Sequence, residues 1–247
     1  MKTKELVKKN VSEFNRDVNE MGSYAYTTDR LSSNEANLRL TTSIRDIYDF
    51  SGKKVLDIGC GDGSYTLEFC ELGVKKIVGI DPADKAIDAA TDKAEKYGLG
   101  HIASFQVDNI YELDTVLASD SYDCIVVRGV VHHLSDPEKA FIELAKFKGD
   151  IIILEPNGSN PVLKLIEKNS QYHIEHEERS FSSKELTAWS ERAGLINVDY
   201  KYINVVPFFC PDLLVKLLKP FEPLVEATPL FRKYICGQIV YLFKSKK

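Results

Sequence analysis

Between residues 53 and 156 the chain repeats one pattern: a short apolar run, a turn, then an amphipathic stretch. That alternation constrains the fold more than any other feature. Strands separated by crossover helices assemble as right-handed βαβ units around a parallel sheet. KKVLDI (53–58), KKIVGID (75–81), HIASFQVD (101–108), SYDCIVVRG (121–129) and DIIILEP (150–156) read as strands, the last apolar enough to be buried on both faces. SYTLEFCELG (64–73), PADKAIDAATDKAEKYG (82–98) and DPEKAFIELAKFKG (136–149) read as helices. In the second, Ala83, Ile87, Ala90, Ala94 and Tyr97 share a face, with Pro82 near its start and Gly98 past its end.

The flanks extend this frame. Ala36, Leu40, Ile44, Ile47 and Tyr48 recur in helical steps, so residues 1–50 read as a polar helical cap before a core at 51–156. A helix over 182–193 opens with a capping box, Ser182 with Glu185, and a staple, Phe181 with Leu186. Two last strands, 197–206 and 237–244, complete the series. Segments 157–181 and 207–236 break the alternation and read as a lid and an insertion, placed where loops carry function. The 247 residues suit a single α/β domain with additions.

Composition excludes several classes. A net charge of −5 argues against general nucleic-acid affinity, which rests on Lys and Arg neutralising phosphates. Five cysteines without a C-x-x-C pair argue against a disulfide framework or a structural zinc site. The polar start MKTKELVKKN does not read as a secretory signal, and no apolar run reaches the roughly 18 residues of a spanning helix. A reducing, cytoplasmic setting is expected, for a monomer or homodimer.

The first strand ends in Asp57 and runs into Gly59, Gly61 and Gly63 before a helix. Such a turn brings backbone N–H groups to a ligand at the carboxyl edge of a sheet. Its G-x-G-x-G spacing differs from the G-x-G-x-x-G of dinucleotide enzymes. The second strand ends in Asp81, about 20 residues on, where an acid can accept both hydroxyls of a ribose. The third ends in Asp108, followed by Asn109, and an acid there can accept from an adenine amino group. Read alone, the turn leaves a nicotinamide oxidoreductase or a non-catalytic cofactor-binding module open.

Together D-I-G-C-G-D-G, G-I-D-P, Q-V-D and Y-D-C-I-V-V-R-G-V-V-H-H-L-S-D-P resemble the class I S-adenosylmethionine-dependent methyltransferases, closely over about residues 50–156. The resemblance implies a Rossmann-like, doubly wound, seven-stranded sheet, mostly parallel with an antiparallel last strand. It implies S-adenosylmethionine as cofactor and S-adenosylhomocysteine as product. Asp57, Gly59, Cys60, Gly61 and Gly63 would hold the methionine part, with Tyr65 closing over it or packing in the core. Asp81 and Pro82 would hold the ribose, Asp108 and Asn109 would flank the adenine, and Arg128 would lie near the methionine half. Cys60 itself reads as a small packing residue of the turn.

Methyl transfer from a sulfonium needs an aligned nucleophile and, for some acceptors, a base. His132 and His133 follow the fourth strand, where the methyl group is expected. In the family resembled, the first of such a pair tends to face substrate, so His132 is the first choice as base or orienting donor. The alternative is that both histidines pack or cap the next helix. In YHIEHEER (172–179), His173 and His176 would share a helical face near Glu175, Glu177 and Glu178. That cluster reads as a solvated lid rather than a metal site, with His173 or His176 as a reserve base. No metal is expected. Glu155 is read as shaping the pocket, and Asn157 and Asn160 as turn formers.

Residues 207–247 hold seven Lys or Arg against three acids, a net of +4, which leaves about −9 on the rest. With their Leu, Phe and Val content, they suit either packing over the sheet edge or contact with an anionic membrane or a greasy substrate. A small-molecule or lipid-like acceptor, and not a nucleic acid, is the expected partner.

Overall fold

The computed structural model describes residues 11–12, 15–16, 30–170, 179–208 and 210–246. Its elements run α1 (Leu31–Ile47), β1 (Lys54–Ile58), α2 (Ser64–Glu71), β2 (Lys76–Asp81), α3 (Asp84–Lys96), β3 (Ala103–Val107), α4 (Leu113–Ser119), β4 (Cys124–Arg128), α5 (Pro137–Leu144), β5 (Asp150–Pro156) and α6 (Pro161–Asn169). Then follow α7 (Ser183–Ala193), β6 (Leu195–Ile203), α8 (Asp212–Leu218), α9 (Glu222–Ala227), α10 (Pro229–Ile235) and β7 (Gln238–Ser245).

The strands form a seven-stranded sheet in the order β3-β2-β1-β4-β5-β7-β6. β1 to β5 pair in parallel, and β7 runs antiparallel to both β5 and β6. The expected mixed sheet, including its antiparallel last strand, is therefore present. Alternation along each strand divides the core. Ile125, Val127, Ile151 and Ile153 face α4, α5 and α7, while Val126, Ile152 and Leu154 face α1, α2 and α3. Each such side chain, fully buried, contributes about 1.5–3 kcal/mol. Strand order reverses direction between β1 and β4, so the crevice at their carboxyl ends is the natural ligand position of this topology.

Several boundaries differ from the sequence expectation. The helix after β2 starts at Asp84, and Pro82 stands outside it in a bend. The expected helix over 136–149 stops at Leu144, although Asp136 does cap it by accepting from the Lys139 amide. β6 begins two residues early, directly after the left-handed Gly194, and ends where Asn204 takes φ 63°. Helix α4 was not expected at all. Segment 207–236 folds as short helices parted at its prolines; α9 and α10 each carry a proline in the first turn, where the missing N–H costs nothing.

The insertion is tied to the sheet by buried charge. Arg39 on α1 pairs with Glu226 of α9 at 2.5 Å, and Glu226 also accepts from the Asn204 amide at 2.9 Å. Glu222 accepts from the Val205 amide at 3.1 Å. Asn157 donates to the Lys233 and Cys236 carbonyls, both at 2.9 Å, and Asn160 donates to that of Ile235 at 2.9 Å. These two side chains satisfy carbonyls left unpaired at the end of α10. Both asparagines are buried and hold the insertion, while Asn160 also caps α6.

Candidate active site

The glycine turn sits between β1 and α2, with Gly59, Gly61 and Gly63 all at positive φ. Two of them are required by close approach. A Cβ on Gly59 would lie 2.3 Å from Cγ2 of Val130, and one on Gly63 would lie 2.8 Å from Cβ of Ala90. The turn is thus pressed against the chain leaving β4 on one side and against α3 on the other. Cys60 is buried, its Sγ 3.7 Å from the Gly61 carbonyl, and its Cβ packs over Gly79 of β2.

Asp81 organises that turn. One carboxylate oxygen accepts from the Gly61 amide at 3.0 Å, the other from the Ala83 amide at 2.8 Å. Each oxygen keeps a further lone pair. Asp57 is buried and accepts from the Thr66 hydroxyl at 2.6 Å. Burial pushes both carboxyls up to about 6; Thr66 and Arg128 oppose this at Asp57, and the two amides oppose it at Asp81. The crevice therefore holds two carboxylates in a poorly solvated place, a setting that favours a cationic ligand. Asp108 and Asn109 lie half-buried at the end of β3, where each closes a turn: Asp108 accepts from the Asn109 amide and Asn109 from that of Tyr111, both at 2.8 Å. Pro82 is exposed at the mouth of the crevice.

Arg128 ends β4 and is nearly buried. Its guanidinium lies 3.9 Å above the Tyr65 ring, donates to Thr41 at 3.0 Å, and stands 3.4 Å from Glu68. Asn37 accepts from it at 3.5 Å, and Thr41 also bonds Glu68. Burial raises the Tyr65 hydroxyl to about 12, so it stays protonated. Sequence reasoning found Arg128 and Tyr65 but missed Asn37 and Thr41, which α1 brings from 91 and 87 positions away, respectively. An open groove of about 540 Å³ between α1 and α2 shares Thr41, Tyr65 and Glu68 with this cluster. Its lining includes neither Asp81 nor His132, so it borders the crevice without forming it.

The chain leaving β4 is held by one side chain. Glu155, buried at the end of β5, accepts from the amides of Val130 and Val131 at 2.8 Å and of His132 at 3.2 Å. Its Oε2 also stands 2.8 Å from Nδ1 of His132. With Glu155 ionised, that contact puts the imidazole proton on Nδ1 and the basic lone pair on Nε2. The meeting follows from register: Arg128 pairs with Leu154, so residues just beyond β4 run beside Glu155. The His133 ring lies against that of His132, centroids 3.9 Å apart and planes tilted by 40°. His173 and His176, with the acids around them, lie outside the described residues. Among the described residues no group of three or more His, Cys, Asp or Glu could hold a metal ion.

A family model described as a methyltransferase domain matches residues 49–194. A ubiquinone biosynthesis O-methyltransferase of Dinoroseobacter shibae is 31% identical over 170 residues, covering 62% of this chain and 63% of that protein. A tRNA U34 carboxymethyltransferase of Campylobacter hominis is 35% identical over 105 residues, covering 41% of this chain and 34% of that one. The chain thus spans between about one third and under two thirds of these relatives' lengths. Among solved structures, a methyltransferase of Thermotoga maritima described as a possible histamine N-methyltransferase superposes with a TM-score of 0.67 at 16% identity, covering 96% of this chain and all of that one.

Proposed function

The chain belongs to the class I S-adenosylmethionine-dependent methyltransferases, and on that premise we propose that it moves a methyl group from S-adenosylmethionine to a small-molecule or lipid-like acceptor, with His132 as base. The observation that carries the proposal is the seating of the Glu155–His132 pair. Val130, two residues before His132, packs against Gly59 of the cofactor turn, so the imidazole stands on the loop next to the methionine end of the crevice.

The residues fit the cofactor. Asp81 has lone pairs for two ribose hydroxyls, Asp108 and Asn109 at the end of β3 would flank the adenine, and Asp57 with the turn amides would suit the methionine ammonium and carboxylate. When bound, the cofactor supplies a methyl group already activated by its sulfonium. His132 would take the acceptor's proton on Nε2 while Glu155 stabilises the imidazolium through Nδ1. Arg128, stacked on Tyr65, would fix the wall beside the methionine half. The acidic chain favours a small acceptor over tRNA. The apolar insertion 207–236, with four Lys or Arg against three acids, supports a lipid-like acceptor or a membrane-facing setting.

Calorimetry with S-adenosylhomocysteine and NAD, followed by labelled transfer to a panel of phenols, amines, prenylated lipids and bulk tRNA, tests this reading. S-adenosylhomocysteine should bind and NAD should not, and label should enter a small or lipid acceptor. Failure to bind S-adenosylhomocysteine, or label entering tRNA alone, would overturn it.

The raised carboxyls give a pH dependence. Asp57 and Asp81 are pushed up to about 6 in the free protein, whereas the cofactor's ammonium and ribose hydroxyls select their ionised forms. Affinity is therefore full above about pH 7 and falls below pH 6, about tenfold per pH unit for each group that must ionise. The free chain behaves oppositely: the native state holds these protons more tightly, so its stability falls as pH rises from about 4 to 6. Calorimetric titrations at pH 5 to 8, with melting of the free protein, check both signs.

A further inference from the structure

The helices outside the sheet separate their charges in an unusual way. Helix α6 is amphipathic yet has no buried residue, and its Val162 and Leu165 are 59% and 62% exposed. On α8, α9 and the turn between them, Leu213, Leu217, Phe221 and Leu224 recur at helical spacing and are all more than half exposed. Helix α10 packs between α6 and α9 and adds exposed Leu230 and Phe231. These eight side chains sit on helices that touch in series, α6 with α10, α10 with α9, and α8 and α9 with the turn between them, so they are grouped and not scattered.

The acids of these helices mostly turn away from that surface. Glu222 is buried, Glu226 pairs inward with Arg39, and Glu167 binds Lys164 and the Ser180 amide. Only Asp212 is exposed, at the start of α8, where the helix dipole favours an acid. Lys168, Lys216 and Lys233 are exposed. The inward carboxylates cap backbone and anchor helices, so among the described residues of these helices the outer surface is, apart from Asp212, apolar and cationic.

We propose that α6 and the α8–α10 insertion form a docking face for an anionic lipid bilayer, with the leucines and phenylalanines entering the headgroup boundary and the lysines meeting lipid phosphates. Charge selects this occupant: a second copy of the chain would set the same lysines against one another, whereas an anionic surface complements them. The inference rests on the membrane-facing setting proposed for the insertion, but not on methyl transfer, because vesicle binding is read without cofactor.

The full chain is sedimented with vesicles of phosphatidylcholine alone and of phosphatidylcholine with phosphatidylglycerol. We expect binding to the second at least about tenfold tighter than to the first, falling as salt shortens the Debye length. Leu217→Glu with Phe231→Glu should lower it at least about tenfold while leaving the melting temperature unchanged, since both side chains are exposed. Lys216→Ala with Lys233→Ala should weaken binding and flatten its salt dependence. No binding to anionic vesicles, or binding indifferent to both pairs of substitutions, would overturn the proposal. So would a concentration-dependent dimer by light scattering that the Leu217 and Phe231 changes abolish.

Discussion

Asp81→Asn weakens S-adenosylhomocysteine binding by about a hundredfold or more at pH 7.5, the largest single effect expected on the cofactor. The carboxylate would accept two ribose hydroxyls while still holding the Gly61 and Ala83 amides. Asparagine offers one acceptor oxygen in place of two and puts an N–H₂ against one of those amides. Losing charge-assisted bonds of about 1.5–3 kcal/mol each gives the stated factor. The free protein should not lose stability in proportion. Burial holds the Asp81 carboxyl up to about 6, so at pH 7.5 the native state carries a charge it disfavours, and the substitution removes that cost. Calorimetry and melting on the same samples separate the two effects. A binding loss matched by a large drop in melting temperature would mean that Asp81 serves the turn and not the ligand. An unchanged affinity would remove Asp81 from the site.

What could be read from the chain divides along physical lines. Parallel strands β1, β2, β4 and β5 were legible because burial on both faces leaves continuous apolar runs, edge strand β3 by its place in the alternation, and the turn because only glycine tolerates the approach of Val130 and Ala90. The acids at strand ends were legible because parallel βαβ units bring all carboxyl ends to one edge. Helix α4 gave little signal: seven residues, two of them buried, carry too few turns to show a period. Residues 157–169 read as irregular because Asn157 and Asn160 look like turn formers; their use in holding α10 depends on a helix 75 positions away. Asn37 and Thr41 lie on the polar side of α1, where sequence gives no reason to prefer one residue over another. The Glu155–His132 contact was nearer to hand, since two adjacent parallel strands in known register bring the residues beyond β4 beside the end of β5.

That contact carries the other large effect. His132→Ala should lower methyl transfer by about 10²–10⁴-fold, the usual worth of a positioned proton acceptor, with S-adenosylhomocysteine affinity nearly unchanged. Glu155→Gln tests the positioning role separately. Glutamine cannot accept from three amides and an imidazole as the carboxylate does, so it should cost turnover and also melting temperature, since buried amides lose partners. If the two residues act as one unit, the double variant is no slower than His132→Ala alone. If Glu155 only ties down the chain leaving β4, its substitution slows the double variant further, through a misplaced glycine turn that also weakens cofactor binding. Single-turnover rates with cofactor saturating distinguish these outcomes. Turnover by His132→Ala within a few-fold of the parent protein would reduce the histidine pair to packing, and the proton would then leave without help from the chain.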